Sequence, residues 1–382
     1  MNCFLEYYDK HNISPVKQKI DDIEIHHKKR EKLYRQLGMP PIVFKDKDIL
    51  EIGPGSGYNT LSFFEWGGKM TLVEPNRQGI KELKELFKEK GIKEDSYVLH
   101  ECMIEQFKSD KKYDIVIAEG FLHSIDNAYE IIQQISDLVK EGGVVVITCM
   151  DYCSTFVEQM KRLVCHILIE GEEDYEKKVE ICKEFFEPQF KDVIAMSRSV
   201  EDWVKDDMLN PAFNSDTLLG IADGIQCFSE EFEYLGTSQR MFTDYSWYKD
   251  IDYDERANVL KQYKRKRHNL LMTGMEETVL SNEESEFLIS GISKIRKLEK
   301  EFEKTYKKEL LKEIKMELEN LHDIMDKIDE MCGKFTSNMI EILENLDDNI
   351  LNYEKYDTFY IAMGRTQQYL SMVKKIKYKK NS

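Results

Sequence analysis

The sequence predicts an α/β fold: a mostly parallel sheet with helices on both faces, extended by a long helical C-terminal insertion or extension. Three observations predict it. Between residues 46 and 150, short apolar runs alternate with amphipathic stretches of 10 to 17 residues, the pattern of strands joined by right-handed helical crossovers. Those runs are apolar on consecutive residues, as in a sheet covered on each side. The first run ends in three glycines set two apart, Gly53, Gly55 and Gly57.

The elements follow in order. "DDIEIHHKKREKLYRQLG" repeats apolar residues at helical spacing and stops at Gly38, with Pro40 and Pro41 beyond. "KDILEIG" is the first strand, and "YNTLSFFEWG" a helix capped by Gly67 and Gly68. "KMTLVEP" is a second strand, and "RQGIKELKELFKEKG" a helix with Gly91 after it. "DSYVLHECM" and "YDIVIAEG" are the third and fourth strands. "NAYEIIQQISDLVKEGG" is a helix stopped by a glycine pair, and "VVVITCM" the fifth strand. From Leu311 onward, apolar residues recur in steps of three and four as far as residue 346, a coiled-coil seam of the kind that makes antiparallel hairpins or dimers. Gly333 marks a break into two helices there. The segment "GRTQQYLSMVKKI" fits either a strand returning to the sheet or a final helix.

This gives five regions: 1–45, an N-terminal helical lid; 46–150, the layered sheet domain; 151–255, a mixed substrate-side extension; 256–350, a helical hairpin or coiled-coil region; and 351–382, a C-terminal segment. Of 382 residues, 41% are hydrophobic and 33% charged, enough to bury a core and solvate a surface. A net charge of -17 disfavours general binding to nucleic acid or anionic membrane, both of which need a basic footprint. The basic run "KKIKYKKN" reads as a solvated tail. Eight scattered cysteines form no CxxC pair, so no metal site is expected, and the absence of a signal-peptide core or a long apolar span predicts a reduced, cytoplasmic protein.

Glycines at the carboxyl end of the first strand permit left-handed turns and close approach of a ligand to the backbone. Position 58 is Tyr58, so the G-x-G-x-x-G register of a dinucleotide loop fails, and no lysine follows Gly57 to make a phosphate loop. What stands is E-x-G-x-G-x-G: Glu51, Gly53, Gly55 and Gly57, with Pro54 between the first two glycines. This stretch resembles the first motif of class I, Rossmann-like S-adenosylmethionine-dependent methyltransferases. The resemblance covers 46–150 and implies that the loop lies against the amino-acid part of that cofactor. Glu74 ends the second strand, 17 residues after Gly57, where a carboxylate can accept from both ribose hydroxyls. Met103 and Ile104 fall where the family offers backbone groups to the adenine. The family often has aspartate in place of Met103, so the adenine amino group needs another acceptor here. Glu119 and Gly120 follow the fourth strand, beside the family's methyl-transfer site, and "LVKEGGVVVI" is similar to its glycine turn before strand five. The overall texture also resembles bacterial methyltransferases associated with surface-glycan or flagellin modification.

The implied reaction is in-line displacement: transfer of the methyl group to an N or O atom of a small molecule, amino compound or glycan-linked acceptor. If the acceptor must lose a proton, His123, just past strand four, is the first candidate base, with Asp151 and Tyr152 past strand five next. His123 could equally pack or cap the following helix. His26, His27, Arg30 and Tyr34 share the N-terminal helix, either as a cofactor lid or as a solvated basic face. "VEDWVKDDMLNP" and "DYSWYKD" suit a polar acceptor by stacking and hydrogen bonding, or are core and surface. Rival functions are a protein methyltransferase, a non-catalytic scaffold acting through its helical region, with a homodimer formed there, and a nicotinamide oxidoreductase. The "[ND]-P-P-[YF]" string of base or glutamine methylation is absent.

Overall fold

The computed structural model describes Tyr7 and residues 23–190, 199–214, 218–239, 246–346 and 355–378. Most of the region before Ile23, part of the aromatic stretch before Ser246 and the end of the basic run lie outside the described residues. The chain divides into two compact units: residues 1–150, 215–260 and 367–382 in one, and 151–214 and 261–366 in the other. The 151–255 stretch is therefore shared between them.

The first unit holds helix α1 (Ile23–Gln36), then β1 (Asp48–Ile52), α2 (Tyr58–Glu65), β2 (Lys69–Val73), α3 (Arg77–Glu89), β3 (Tyr97–His100), β4 (Tyr113–Ala118), α4 (Ala128–Asp137) and β5 (Val139–Cys149). These five strands are mutually parallel. The full sheet has seven strands in the order β3-β2-β1-β4-β5-β7-β6, where β6 is Phe232–Thr237 and β7 is Gln368–Lys374. The residue 364–376 segment thus contributes β7, antiparallel to both β5 and β6. It lies inside the sheet, and β6 forms the edge.

Local chemistry explains the boundaries. Gly38, Gly67 and Gly91 end three helices with φ of 76°, 83° and 73°, a conformation that glycine adopts without Cβ strain. The Asn76 side chain caps α3 by accepting from Gly79 N–H at 2.6 Å. One boundary differs from expectation. The helix before β5 ends at Asp137, and "VKEGG" is already strand. Gly142, with φ of 72°, sits where the β4–β5 register shifts. A Cβ on Gly143 would lie 2.8 Å from the Asp114 carbonyl oxygen. The glycine pair serves a strand irregularity, not a helix stop.

Sheet residues Ile49, Leu72, Ile117 and Val146 form a core with Leu83 and Phe87 of α3. On it α1 packs through Tyr34, whose ring meets Phe44 and Phe63 edge-on at 5.3 and 5.4 Å.

In the second unit, α5 (Phe156–Leu168), α6 (Tyr175–Phe190), α7 (Val200–Trp203), α10 (Asn282–Thr305), α11 (Lys308–Ile328), α12 (Glu330–Glu344) and α13 (Asp357–Ile361) form a helical assembly. The labels α8 and α9 belong to Ile221–Cys227 and Glu255–Lys266. The heptad residues from Leu311 to Ile342 are buried within the chain. The break falls at Asp329, which ends α11 and caps α12 by accepting from Met331 N–H at 2.8 Å. Gly333 instead lies inside α12, where a Cβ would meet the Asp326 side chain at 2.4 Å. Its role is close packing rather than termination.

Candidate active site

Four loops leave the carboxyl ends of β1 to β4, on either side of the point where strand order reverses between β1 and β4. Gly53, Gly55 and Gly57 follow β1 with φ of 70°, 56° and 83°. Gly57 N–H closes the turn onto the Pro54 carbonyl at 2.9 Å. Gly57 also starts α2, and a Cβ there would fall 2.9 Å from the Phe87 ring and 3.0 Å from Leu83. A Cβ on Gly53 would meet the Phe121 ring at 3.3 Å, so Phe121 lines this loop.

Glu74 is buried and bound to the loop. Its Oε2 accepts from Gly55 N–H at 2.8 Å and its Oε1 from Asn76 N–H at 2.8 Å. Burial pushes its carboxyl upward, and these two N–H groups pull it back. Each oxygen keeps a further lone pair for a hydroxyl.

Glu51 is 3% exposed, and its Oε2 is buried without a hydrogen-bond partner. Burial pushes its pKa up to about 8. The Thr60 hydroxyl lies near enough to temper that rise but falls short of a well-formed hydrogen bond.

Glu119, at the end of β4, is held by the N-terminal helix. Arg30 donates to both its oxygens at 2.9 Å, Tyr34 Oη donates at 2.6 Å, and Asn59 Nδ2 is 3.4 Å away. Arg30 and Tyr34 are buried, so this edge of α1 is not a solvated basic face. His27 Nδ1 is 2.8 Å from Ser62 Oγ on α2. Gly120 has φ of 89° with open space where a Cβ would stand, and its N–H donates to Thr148 Oγ1 at 2.8 Å.

His123 is 5% exposed, with Nδ1 3.4 Å from the same Thr148 hydroxyl. Met103 opens a one-turn helix: its carbonyl accepts from Gln106 N–H at 3.0 Å. Ile104 is buried, and its carbonyl accepts from Gln134 Nε2 at 2.7 Å.

Asp151 and Tyr152 belong to the second unit. Asp151 is buried, accepting from Cys153 N–H at 2.7 Å and from the Tyr263 hydroxyl, with Arg267 at 3.7 Å. That is the environment of a structural carboxylate. The Tyr152 carbonyl lies 3.4 Å from Thr155 Oγ1.

Residues 25–177 match the model of a family described as a methyltransferase domain. By that match, residues 25–177 carry a methyltransferase domain. Over 104 residues it is 26% identical to the ubiquinone biosynthesis O-methyltransferases of Rickettsia canadensis (strain McKiel) and Rickettsia felis (strain ATCC VR-1525 / URRWXCal2). That match takes in 27% of this chain and only 43% and 41% of theirs. Among solved structures it is similar to PKMT2 from Rickettsia typhi in complex with AdoHcy, at 16% identity and a TM-score of 0.44, over 62% of this chain and 50% of that one. It is also similar to the N-methyltransferase NodS from Bradyrhizobium japonicum WM9, at 15% identity and a TM-score of 0.31, over 39% and 74%.

The residues of the domain fit S-adenosylmethionine, the cofactor that the glycine motif implies. The loop carries no side chain at Gly53, Gly55 and Gly57, all left-handed, and one buried carboxylate oxygen beside it lacks a hydrogen-bond partner. Sequence reasoning missed Phe121, Asn59 and the Arg30–Glu119 pair. Nothing in a linear pattern ties residue 30 to residue 119. Among the described residues, no His, Cys, Asp and Glu cluster could hold a metal ion, and no helix is long and apolar enough to cross a membrane.

Proposed function

We propose that this chain is an active methyltransferase that moves a methyl group from S-adenosylmethionine to an O or N atom of a small molecule, amino compound or glycan-linked acceptor. The observation that carries the proposal is the left-handed glycine loop at 53–57, tied to Glu74 and flanked by the unpartnered Glu51 Oε2. A scaffold needs neither the bare backbone nor a buried carboxylate left unsatisfied. The names of the curated relatives favour oxygen as the accepting atom.

When bound, the cofactor supplies an electrophilic methyl group on a sulfonium. The chain's own residues bind and orient. Gly53, Pro54, Gly55 and Gly57 give a close backbone surface, and Glu51 an acceptor for a cationic group. Glu74 takes the ribose hydroxyls on its remaining lone pairs, while Met103 and Ile104 pack at the adenine. Gly120 leaves room beside β4, and Glu119, saturated by four donors, fixes the wall there rather than binding ligand. His123 receives the acceptor's proton on Nε2: its Nδ1–H donates to the Thr148 hydroxyl oxygen, whose other lone pair takes the Gly120 N–H. Holding the acceptor in line at roughly 3 Å supplies several kcal/mol of the barrier without covalent help from the protein.

The test has two stages. Calorimetry with S-adenosylmethionine and S-adenosylhomocysteine should show saturable binding, with no displacement by nicotinamide dinucleotides. Label transfer from methyl-tritiated cofactor to a panel of phenols, amino sugars, nucleotide sugars and whole proteins should then mark a low-mass acceptor. Absence of cofactor heat sinks the enzyme in favour of a scaffold, and label confined to protein favours protein methylation.

A further inference from the structure

Glu74 does not hold the glycine loop alone. The second donor to its carboxylate is the N–H of Asn76, at 2.8 Å. A backbone N–H aims only as well as its backbone is fixed, and Asn76 is fixed twice. Its side-chain Oδ1 accepts from Gly79 N–H at 2.6 Å, and its carbonyl accepts from Ile80 N–H at 2.9 Å. Both bonds belong to the first turn of α3. That turn also lies against the loop. A Cβ on Gly79 would stand 3.3 Å from the carbonyl carbon and oxygen of Gly55, and 3.2 Å from Asn76 Oδ1. Gly55 N–H in turn donates to Glu74 Oε2 at 2.8 Å. Gly55, Glu74, Asn76 and Gly79 are all buried, and they close a ring of contacts between the loop, the carboxylate and the start of α3.

The residue types suit that task. Asparagine, aspartate and serine cap helices about equally well. Aspartate at 76 would set a second carboxylate beside Glu74 and favour its neutral form, which accepts fewer hydrogen bonds. Asparagine caps without charge. Any side chain at 79 would press on the cap oxygen and on Gly55 together. We propose that Asn76 is a positioning residue for ribose recognition: by capping α3 against the glycine loop, it aims the remaining lone pairs of Glu74 at the two hydroxyls. This rests on the reading that Glu74 takes the ribose of S-adenosylmethionine.

The experiment titrates the full chain by calorimetry with S-adenosylhomocysteine and with its 2′,3′-dideoxy analogue, which lacks both ribose hydroxyls. The unaltered protein should prefer the first by roughly tenfold or more, as expected for hydrogen bonds to a charged group. Asn76→Ala should cut that preference roughly threefold or more, weakening S-adenosylhomocysteine and leaving the analogue unchanged. Asn76→Ser, which restores an uncharged cap, should restore the preference. Gly79→Ala separates positioning from helix stability. Alanine favours helix over glycine, so α3 itself gains, yet the added methyl crowds the cap oxygen and Gly55 and should also cut the preference. Titration below the thermal unfolding midpoint of each variant keeps unfolding out of the comparison. Equal weakening of both ligands in Asn76→Ala and Gly79→Ala would mean that Asn76 only supports the loop, and would overturn the proposal. So would an unchanged preference in both variants. If the unaltered protein binds the two ligands alike, Glu74 does not read the ribose and the proposal fails while the loop site stands. If it binds neither, the cofactor reading itself is wrong and the proposal falls with it.

Discussion

Glu74 and Gly55 are joined by a 2.8 Å hydrogen bond across 19 residues of chain, so the end of β2 shapes the loop that follows β1. The carboxylate pre-forms the turn before any ligand arrives. Glu74→Ala strands two buried N–H groups, of Gly55 and Asn76, and should cost about 2–4 kcal/mol of stability as well as cofactor affinity. Glu74→Gln can still accept one of the two bonds and should cost less. Urea unfolding beside calorimetry with S-adenosylhomocysteine checks both effects.

The Arg30–Glu119 pair should behave as a buried ion pair, since its side chains are only 6% and 8% exposed. Removing one partner, in Arg30→Met or Glu119→Ala, leaves an uncompensated charge and should destabilise by about 3–5 kcal/mol. The double replacement Arg30→Met with Glu119→Leu should recover much of that. A double-mutant cycle in chemical denaturation reads the coupling, and strictly additive losses would argue against a functional pair.

The glycines of the site should differ in a graded way. Gly57→Ala combines a left-handed backbone with a 2.9 Å approach to Phe87, so strain and overpacking add, costing about 2–4 kcal/mol. Gly120→Ala carries the backbone strain alone and should cost about 1–2 kcal/mol. Thermal unfolding midpoints give the ranking, and equal shifts would show that the contacts at Gly57 relax freely.

Glu51 should couple cofactor binding to protons. Its folded pKa of about 8 lies above the ordinary 4.5, so the free protein holds this carboxyl protonated at neutral pH. A cationic ligand beside it favours the carboxylate and lowers that value. Binding should therefore release up to one proton between about pH 5 and 8, and affinity should rise with pH across that window and level off above it. Calorimetry in buffers of different ionisation enthalpy measures the release, and Glu51→Gln should abolish it.

The parallel half of the sheet was legible because strand and helix periods are local, and so was the glycine loop, because left-handed turns demand a particular residue. Partnership between distant segments was not. β6, "FEYLGT", carries a glycine and mixed polarity, and its pairing with β7 spans more than 130 residues, which no local pattern encodes. Asp151 fits a base by its place after β5, yet each of its oxygens is already held, one by Cys153 N–H and the other by the Tyr263 hydroxyl. Arg30 and Tyr34 stayed open between a lid and a solvated face, because a helix of Lys, Glu and Arg looks solvated until a carboxylate is found to meet it. The helical break moved from Gly333 to Asp329 because a capping side chain stops a helix more firmly than a glycine whose missing Cβ is needed for packing.

The antiparallel strand Gln368–Lys374 has its own consequence for biosynthesis. Until it leaves the ribosome, β5 and β6 have no neighbour to share, and their N–H and C=O ladders stay open to other chains. The parallel half of the sheet can form early, but completion of the sheet waits for a segment made more than 200 residues later. A nascent chain stalled within the helical unit would therefore present sticky edges, making chaperone occupancy during translation a sensitive gauge of this fold.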